Sequence, residues 1–332
     1  METTQKKKTH RLRRVVAILL ALLLIAYIVL VNVLVSAALV PSFMEKLDAF
    51  QEVTEQSYSQ QVHTSDISEN RKAALAETRA WLETAEMEKL TWTTADGYRL
   101  VAAEFPAAQS HKWAVLLHGY TGWKEEMYPF ACWYAGQGFN VLVPDLRCQG
   151  ESEGDFIGMG WTDRLDVLDW VNSILARDPE AQIVLHGQSM GAACALMMSG
   201  MEDLPENVRA VVSDCAYTDA YSMFRQDIRD WFGLPAFPLV DSANLALQLR
   251  GGYDLKEASA LEAVGRSAVP TLFIHGANDR MIPVDMAHRL YDAAVCQKEL
   301  LIVEGAGHAQ SQDKDPERYY DALASFLSDV LN

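Results

Sequence analysis

The chain has 332 residues, half of them hydrophobic, with 28 basic and 45 acidic side chains and a formal charge of −17. That length and apolar content can build one large core, and a body this acidic repels phosphate backbones, which argues against nucleic acid as a partner. The charge is uneven: Lys6, Lys7, Lys8, Arg11, Arg13 and Arg14 stand against Glu2 in the first 14 residues, leaving 22 basic and 44 acidic residues, a charge of −22, for the remainder.

Residues 1–14 are thus a basic tail, and residues 15–40, VVAILLALLLIAYIVLVNVLVSAALV, follow it without one charge. At helical rise these 26 residues are long enough to cross a bilayer with some tilt. The small residues VSA at 35–37 offer a cleaved signal as the alternative, but the apolar run is about twice the roughly 7–15 residues of a signal core. A retained anchor is expected. Its basic flank places the N-terminus in the cytoplasm and the body outside the cell membrane, as a single-pass protein. Residues 41–91 are polar and rich in helix formers, an expected stalk that holds the body off the membrane and contains one short amphipathic helix about Ala73 to Leu82.

From Trp92 onward short apolar runs alternate with helical periods. Strands are expected over Tyr98 to Ala103, Trp113 to Leu117, Val141 to Pro144, Ile183 to His186, Val208 to Ser213, Thr271 to Ile274 and Leu300 to Val303. Helices are expected over Glu125 to Gln137, Thr162 to Arg177, Met190 to Met201, Val284 to Ala294 and Pro316 to Leu331. This alternation implies an α/β domain over residues 92–332, with a mostly parallel central sheet covered by helices on both faces and ligands bound beyond the carboxyl ends of the strands. Between about residues 217 and 263 the alternation lapses, as it does where a small helical cap is inserted. Met223, Phe224, Trp231, Phe232, Leu234, Phe237 and Leu239 are expected to give that cap an apolar underside, most of them packing it onto the sheet.

Within IVLHGQSMGAA, residues 183–193, a buried strand gives way to a helix at Gly187-Gln188-Ser189-Met190-Gly191. A non-glycine residue held in so sharp a turn is strained, and flanking glycines make room for it. The turn lifts the Ser189 oxygen clear of the sheet and aims the Met190 amide, at a helix N-terminus, toward any anion forming beside it. Other chemistry-bearing residues fall at other strand ends. His118-Gly119-Tyr120-Thr121-Gly122 follows one strand and supplies loop amides. HGANDRMIP follows another and supplies Asp279, and EGAGHAQ follows the last and supplies His308.

In order and spacing, LLHGYTG, VLVPDLRCQGESEG, GQSMG, PTLFIHGANDRMIP and EGAGH resemble the successive landmarks of the α/β-hydrolase family over about residues 92–331. The likeness is narrower toward membrane-anchored bacterial members of its serine aminopeptidase-like and acyl-esterase-like branch. It implies Ser189 as nucleophile, His308 as base, Asp279 as the acid that orients the base, and the amides of Tyr120 and Met190 as oxyanion hole, with no metal and no organic cofactor. One departure is Arg147-Cys148-Gln149-Gly150, where relatives commonly carry Arg-Gly-His-Gly, which bears on substrate contacts more than on chemistry.

Alternatives stand beside several of these residues. Asp214, after the strand Val208 to Ser213, competes with Asp279 for the acid. His118, His186 and His275 each precede a glycine at a strand end, where a packed, hydrogen-bonded ring is the expected role. Asp145 and Arg147 are expected to pair and hold their loop. Cys132, Cys148, Cys194, Cys215 and Cys296 show neither a disulfide framework nor metal-site spacing. The expected activity is hydrolysis of carboxylic esters through an acyl-enzyme, the partner being a small acyl substrate. An aminopeptidase or thioesterase on the same residues, with Asp227, Asp230 or Asp241 of the cap as amine anchors, is the alternative, and a catalytically silent binding scaffold is the alternative from another class.

Overall fold

In the computed structural model, which describes residues 2–44, 65–230 and 232–331, each of the seven expected apolar runs is a strand and one further strand joins them. The strands are β1 (Glu88–Thr93), β2 (Arg99–Phe105), β3 (Lys112–Leu117), β4 (Asn140–Pro144), β5 (Gln182–Gln188), β6 (Val208–Asp214), β7 (Thr271–Gly276) and β8 (Lys298–Val303). They form one sheet in the order β1-β2-β4-β3-β5-β6-β7-β8. The first two pairings, β1 with β2 and β2 with β4, are antiparallel, and the other six strands run parallel. Register aligns Leu117 with Gly187, Gln188 with Asp214, Asp214 with Ile274 and Gly276 with Val303. The carboxyl ends of β3, β5, β6, β7 and β8 therefore open on one edge.

Because successive strand side chains alternate between faces, the sheet has two cores. Val115, Leu117, Ile183 and Leu185 face helices α5 (Asp163–Arg177) and α6 (Met190–Ser199). Leu116, Val184 and Val212 face α4 (Tyr128–Gly136) and α12 (Pro316–Leu331), through Phe130, Tyr134, Tyr319 and Phe326. The remaining helices are α1 (Glu2–Leu39), α2 (Pro41–Met44), α3 (Ser65–Leu82), α7 (Ala220–Asp230), α8 (Ala236–Gly251), α9 (Ala260–Val264), α10 (Asp285–Ala293) and α11 (Ser311–Lys314). Between β6 and β7, α7 and α8 form a small cap.

Two expectations are corrected. The stalk of residues 41–91 is only partly separate from the body: residues 45–64 lie outside the described residues, but α3 packs on the body and β1 is the edge strand. Ile67 is buried, Arg71 pairs with Asp313 at 2.6 Å, and the Trp81 and Phe105 rings lie tilted with centroids 4.7 Å apart. An edge strand with almost every side chain exposed, such as β1, shows no alternation to read, and α3 is held both by apolar contacts of Ile67, Trp81 and Leu82 and by polar contacts with Asp313 and Lys314. The second correction concerns α1, which contains one helix, His10–Leu39, long and apolar enough to cross a membrane. Its last turns are not held off the body. They lie against the cap helix α8, where Tyr27 Oη and Ser242 Oγ are 2.9 Å apart and Arg250 donates to the Asn32 carbonyl at 3.0 Å and to Ser36 Oγ at 2.7 Å. Val31, Val35 and Leu39 are buried, and the Leu39 carbonyl accepts from the Ile157 amide.

Candidate active site

Ser189 stands between the end of β5 and the first residue of α6 with φ 56° and ψ −117°. That is the sparsely populated left-handed side of backbone space, where a side chain other than glycine is strained. The bend persists because its surroundings fix it. The Ser189 amide donates to the Asp214 carbonyl at 2.8 Å, and its carbonyl accepts from Ala193 at 3.0 Å. The two glycines are required by closeness of backbones rather than by positive φ. A Cβ on Gly191 would lie 2.5 Å from the His118 carbonyl oxygen and closer still to that of Leu117, while one on Gly187 would collide with the backbone of Gly191 and Ala192. None of these is a flexible side-chain tip, so Gly191→Ala should cost stability as overpacking does, about 1–3 kcal/mol or more. Thermal melting of that variant is expected to drop by several degrees, and an unchanged melting temperature would show that the elbow yields more easily than its packing implies.

Three strand-end residues expected to meet at this edge do so. Ser189 Oγ is 2.9 Å from His308 Nε2, and His308 Nδ1 is 2.7 Å from Asp279 Oδ2. The other oxygen of Asp279 accepts from the amides of Met281 at 2.9 Å and Ile282 at 2.8 Å, which holds the carboxylate in the loop after β7. All the lone pairs of Asp279 that face protein are thereby directed. Burial works against its charge, but His308 and His275 beside it outweigh burial and hold its pKa well below the usual carboxylate range. For His308 burial also disfavours the charged form; Cys215 and Asp279 oppose it and the balance lies well above the ordinary imidazole value of 6.5. The Cys215 thiol is itself pushed up to about 11 by burial, so near neutrality it carries no charge and Asp279 is the lasting cause.

The loop after β3 meets the serine from the other side. A Cβ on Gly119 would lie 3.5 Å from Ser189 Cβ and 4.0 Å from its Oγ, so the Gly119 backbone runs beside the serine. Neither the Tyr120 nor the Met190 amide has a hydrogen-bond acceptor among the described residues. The Tyr120 hydroxyl points away and donates to the carbonyl of Ala38, at the end of α1.

Asp214, the competing acid, is not brought to the imidazole Nδ1. It is buried, its pKa is raised to about 6 chiefly by burial, one carboxyl oxygen has no partner among the described residues, and the other is 3.3 Å from Tyr319 Oη. His118 accepts from the Leu146 amide at 2.9 Å and donates to the Gly119 carbonyl at 2.8 Å, and burial lowers its pKa to about 4. His186 lies between the hydroxyls of Tyr134 and Tyr319, both at 3.2 Å. His275 donates to the Ile282 carbonyl at 2.8 Å, yet the same nitrogen is 3.3 Å from Asp279 Oδ2. That proximity, like that of Cys215 (φ 53°) to His308 and Asp279, went unread in the sequence. Both residues end strands that flank the acid, and their positions at β7 and β6 were the available signal.

The expected Asp145–Arg147 pair is replaced by two others. Asp145 accepts from the Lys124 amide and ammonium at 2.7 and 2.9 Å, whereas Arg147 pairs with the buried Asp166 at 2.7 Å and with the exposed Asp96. Each carboxylate or guanidinium is satisfied by a partner on another element, Asp145 by Lys124 and Arg147 by Asp166 of α5. The expected cap underside also divides. Met223 and Phe224 are packed against the core, Phe232, Leu234 and Phe237 are exposed, and Trp231 lies outside the described residues.

Residues 114–322 match the model of the α/β hydrolase family. The chain belongs to that family. It is 30% identical over 249 residues to the uncharacterized protein YqkD of Bacillus subtilis, an alignment that covers 74% of this chain and 81% of that one. The uncharacterized protein YfhR of Escherichia coli K12 is 27% identical over 256 residues, 74% of this chain and 82% of its own. Among solved structures, the Pyrococcus furiosus esterase Pf2001 superposes with a TM-score of 0.62 at 24% identity, covering 75% of this α/β hydrolase and 93% of the esterase, a likeness of fold.

Proposed function

We propose that this α/β hydrolase cleaves carboxylic esters with Ser189 as nucleophile, His308 as general base and Asp279 as the group that orients it. The observation that carries the proposal is the unbroken relay from Ser189 Oγ through His308 to Asp279, at 2.9 and 2.7 Å, with the serine raised on a strained elbow. A serine hydroxyl is a weak nucleophile near neutrality and needs a base within hydrogen-bond reach. As the Ser189 oxygen bonds to the acyl carbon its proton passes to His308 Nε2, and the amides of Tyr120 and Met190 receive the oxyanion, each donor contributing about 3 kcal/mol. The ester C–O bond then breaks and the departing alkoxide takes that proton. Water repeats the cycle against the acyl-enzyme and releases the acid. This route draws on protein groups alone. Residues 15–40 serve in this reading as a single-pass anchor with the basic tail in the cytoplasm.

Esters are preferred over aminoacyl substrates because two of the three cap acids, Asp241 and Asp227, make poor amine anchors. Asp241 is engaged by Tyr221 Oη at 2.7 Å and by Arg225 at 3.6 Å, and burial, with Asp230 beside it, disfavours the charged form of the Asp227 carboxyl. p-Nitrophenyl esters of graded chain length should give higher kcat/KM than any aminoacyl-nitroanilide. Higher values for the anilides would transfer the assignment to a peptidase. The pH profile follows from His308, which acts as base only when neutral. With its pKa raised above 6.5, kcat/KM should fall with decreasing pH through a midpoint above 6.5. An acid limb at or below 6.5 would contradict the coupling to Asp279.

A further inference from the structure

Helix α1 and the cap helix α8 run side by side in the same direction, since Tyr27 meets Ser242 while Asn32 and Ser36 meet Arg250. That pairing fixes where the cap lies relative to any bilayer that α1 crosses. A hydrocarbon core about 30 Å thick takes about 20 residues of helix. Counted from the end of the basic tail at Arg14, that reaches roughly Leu34, so Tyr27 is about 10 Å inside the outer boundary of the core. Ser242 is at the same depth, and the helical residues before it, back to the kink at Phe237, lie deeper.

Those residues are suited to lipid. Phe232 to Val240, FGLPAFPLV, contains no charged residue. Phe232, Leu234 and Phe237 are exposed, Phe237 by 70%, and Leu245 and Leu249 continue the apolar surface along α8, Leu249 by 81%. The free face of α1 beside them, Ile28, Val29, Leu30 and Val33, is exposed and apolar too. In water such a contiguous surface is costly. Charged groups flank this run: Asp241, beside Ser242, is engaged by Tyr221 Oη at 2.7 Å and by Arg225 at 3.6 Å, the exposed Arg229 and Asp230 precede Phe232, and Arg250 is held at the level of Asn32 to Ser36, where its guanidinium reaches the headgroup layer. The same end of α1 meets the loop after β3 that borders the candidate site, where the Tyr120 hydroxyl donates to Ala38, and the Ile157 amide donates to Leu39.

We infer that the cap tip, Phe232 to Val240, is immersed in the hydrocarbon of the bilayer crossed by α1, and that the site draws acyl esters of lipids from that bilayer. The inference rests on the proposed ester hydrolysis and anchor for its substrate half. Its depth half has an activity-independent readout. The full chain is reconstituted into vesicles of phosphatidylethanolamine and phosphatidylglycerol, with a nitroxide on Phe237→Cys, the unsubstituted chain as labelling blank and Glu206→Cys as a solvent-exposed reference. Power-saturation spectroscopy should show the Phe237 label relaxed by oxygen and shielded from a water-soluble nickel chelate. Relaxation by nickel as strong as at Glu206 would overturn the immersion, as would shielding from both agents, which marks contact with another protein chain. In the same vesicles carrying a fluorogenic diacyl lipid, Leu234→Glu with Phe237→Glu should lower kcat/KM at least tenfold, while p-nitrophenyl butyrate hydrolysis stays within twofold and Phe237→Leu retains both. Equal loss on the two esters, or no loss on the vesicle lipid, would overturn the lipid assignment; absence of p-nitrophenyl butyrate hydrolysis in the unsubstituted chain would instead strike the ester-hydrolase reading.

Discussion

Ser189→Ala is expected to reduce kcat about a millionfold while leaving the melting temperature nearly unchanged. The substitution removes one oxygen and nothing else. Alanine keeps the Cβ that rests against Gly119, and the backbone bonds of the elbow, Ser189 to Asp214 and Ala193 to Ser189, remain. What is lost is the atom proposed to form the acyl bond, and removal of the nucleophile from a serine–histidine–acid unit costs about as much as removal of the whole unit, of order 10⁶ in kcat. The remaining rate over water is carried by the oxyanion donors and by binding. Turnover within a hundredfold of the parent chain would mean that another group attacks the ester.

Asp279→Asn is expected to lower kcat about 10⁴-fold with the fold intact, the scale of loss when an acid of this kind is replaced by its amide. The carboxylate accepts the His308 Nδ1 proton at 2.7 Å and so leaves Nε2 free to take the serine proton; an amide nitrogen there favours the opposite tautomer. Asp214→Asn is the control, with an expected loss of less than tenfold. Its carboxyl is half neutral near pH 6, and Tyr319 and Gln188 are its partners at 3.3 and 3.4 Å. Steady-state kinetics on one soluble ester compares the two, and a larger loss for Asp214→Asn would reassign the acid.

Much of this site is legible in the sequence because a parallel sheet orders its strand ends. Once β3, β5, β7 and β8 are recognised as apolar runs, the residues after them must share an edge, and Ser189, Asp279 and His308 follow. The glycines around Ser189 carry the same message, for only backbone-to-backbone contact demands their absence of Cβ. Pairings between elements are not carried by local pattern. Lys124 and Asp145 find each other across a loop, Arg71 crosses 242 residues to Asp313, and β1 joins the sheet with its side chains in solvent, so nothing in the spacing of these residues announces a partner. The cap illustrates the same limit. Its aromatic content reads as an underside, yet Phe232 and Phe237 face outward, because the docking of α8 on α1 rather than on the sheet sets which face is free.

The central claim, that Ser189 is the nucleophile of a hydrolase, is tested most directly by fluorophosphonate labelling followed by peptide mass spectrometry. The reagent bonds covalently to a serine only when a neighbouring base activates it and amides receive the phosphoryl oxygen, the arrangement made by His308 at 2.9 Å and the loop at Gly119 and Tyr120. The account predicts one modified residue, Ser189, with labelling and ester hydrolysis lost in parallel as reagent is titrated. Modification of a different serine, or an unlabelled Ser189 in protein that hydrolyses esters, would contradict it.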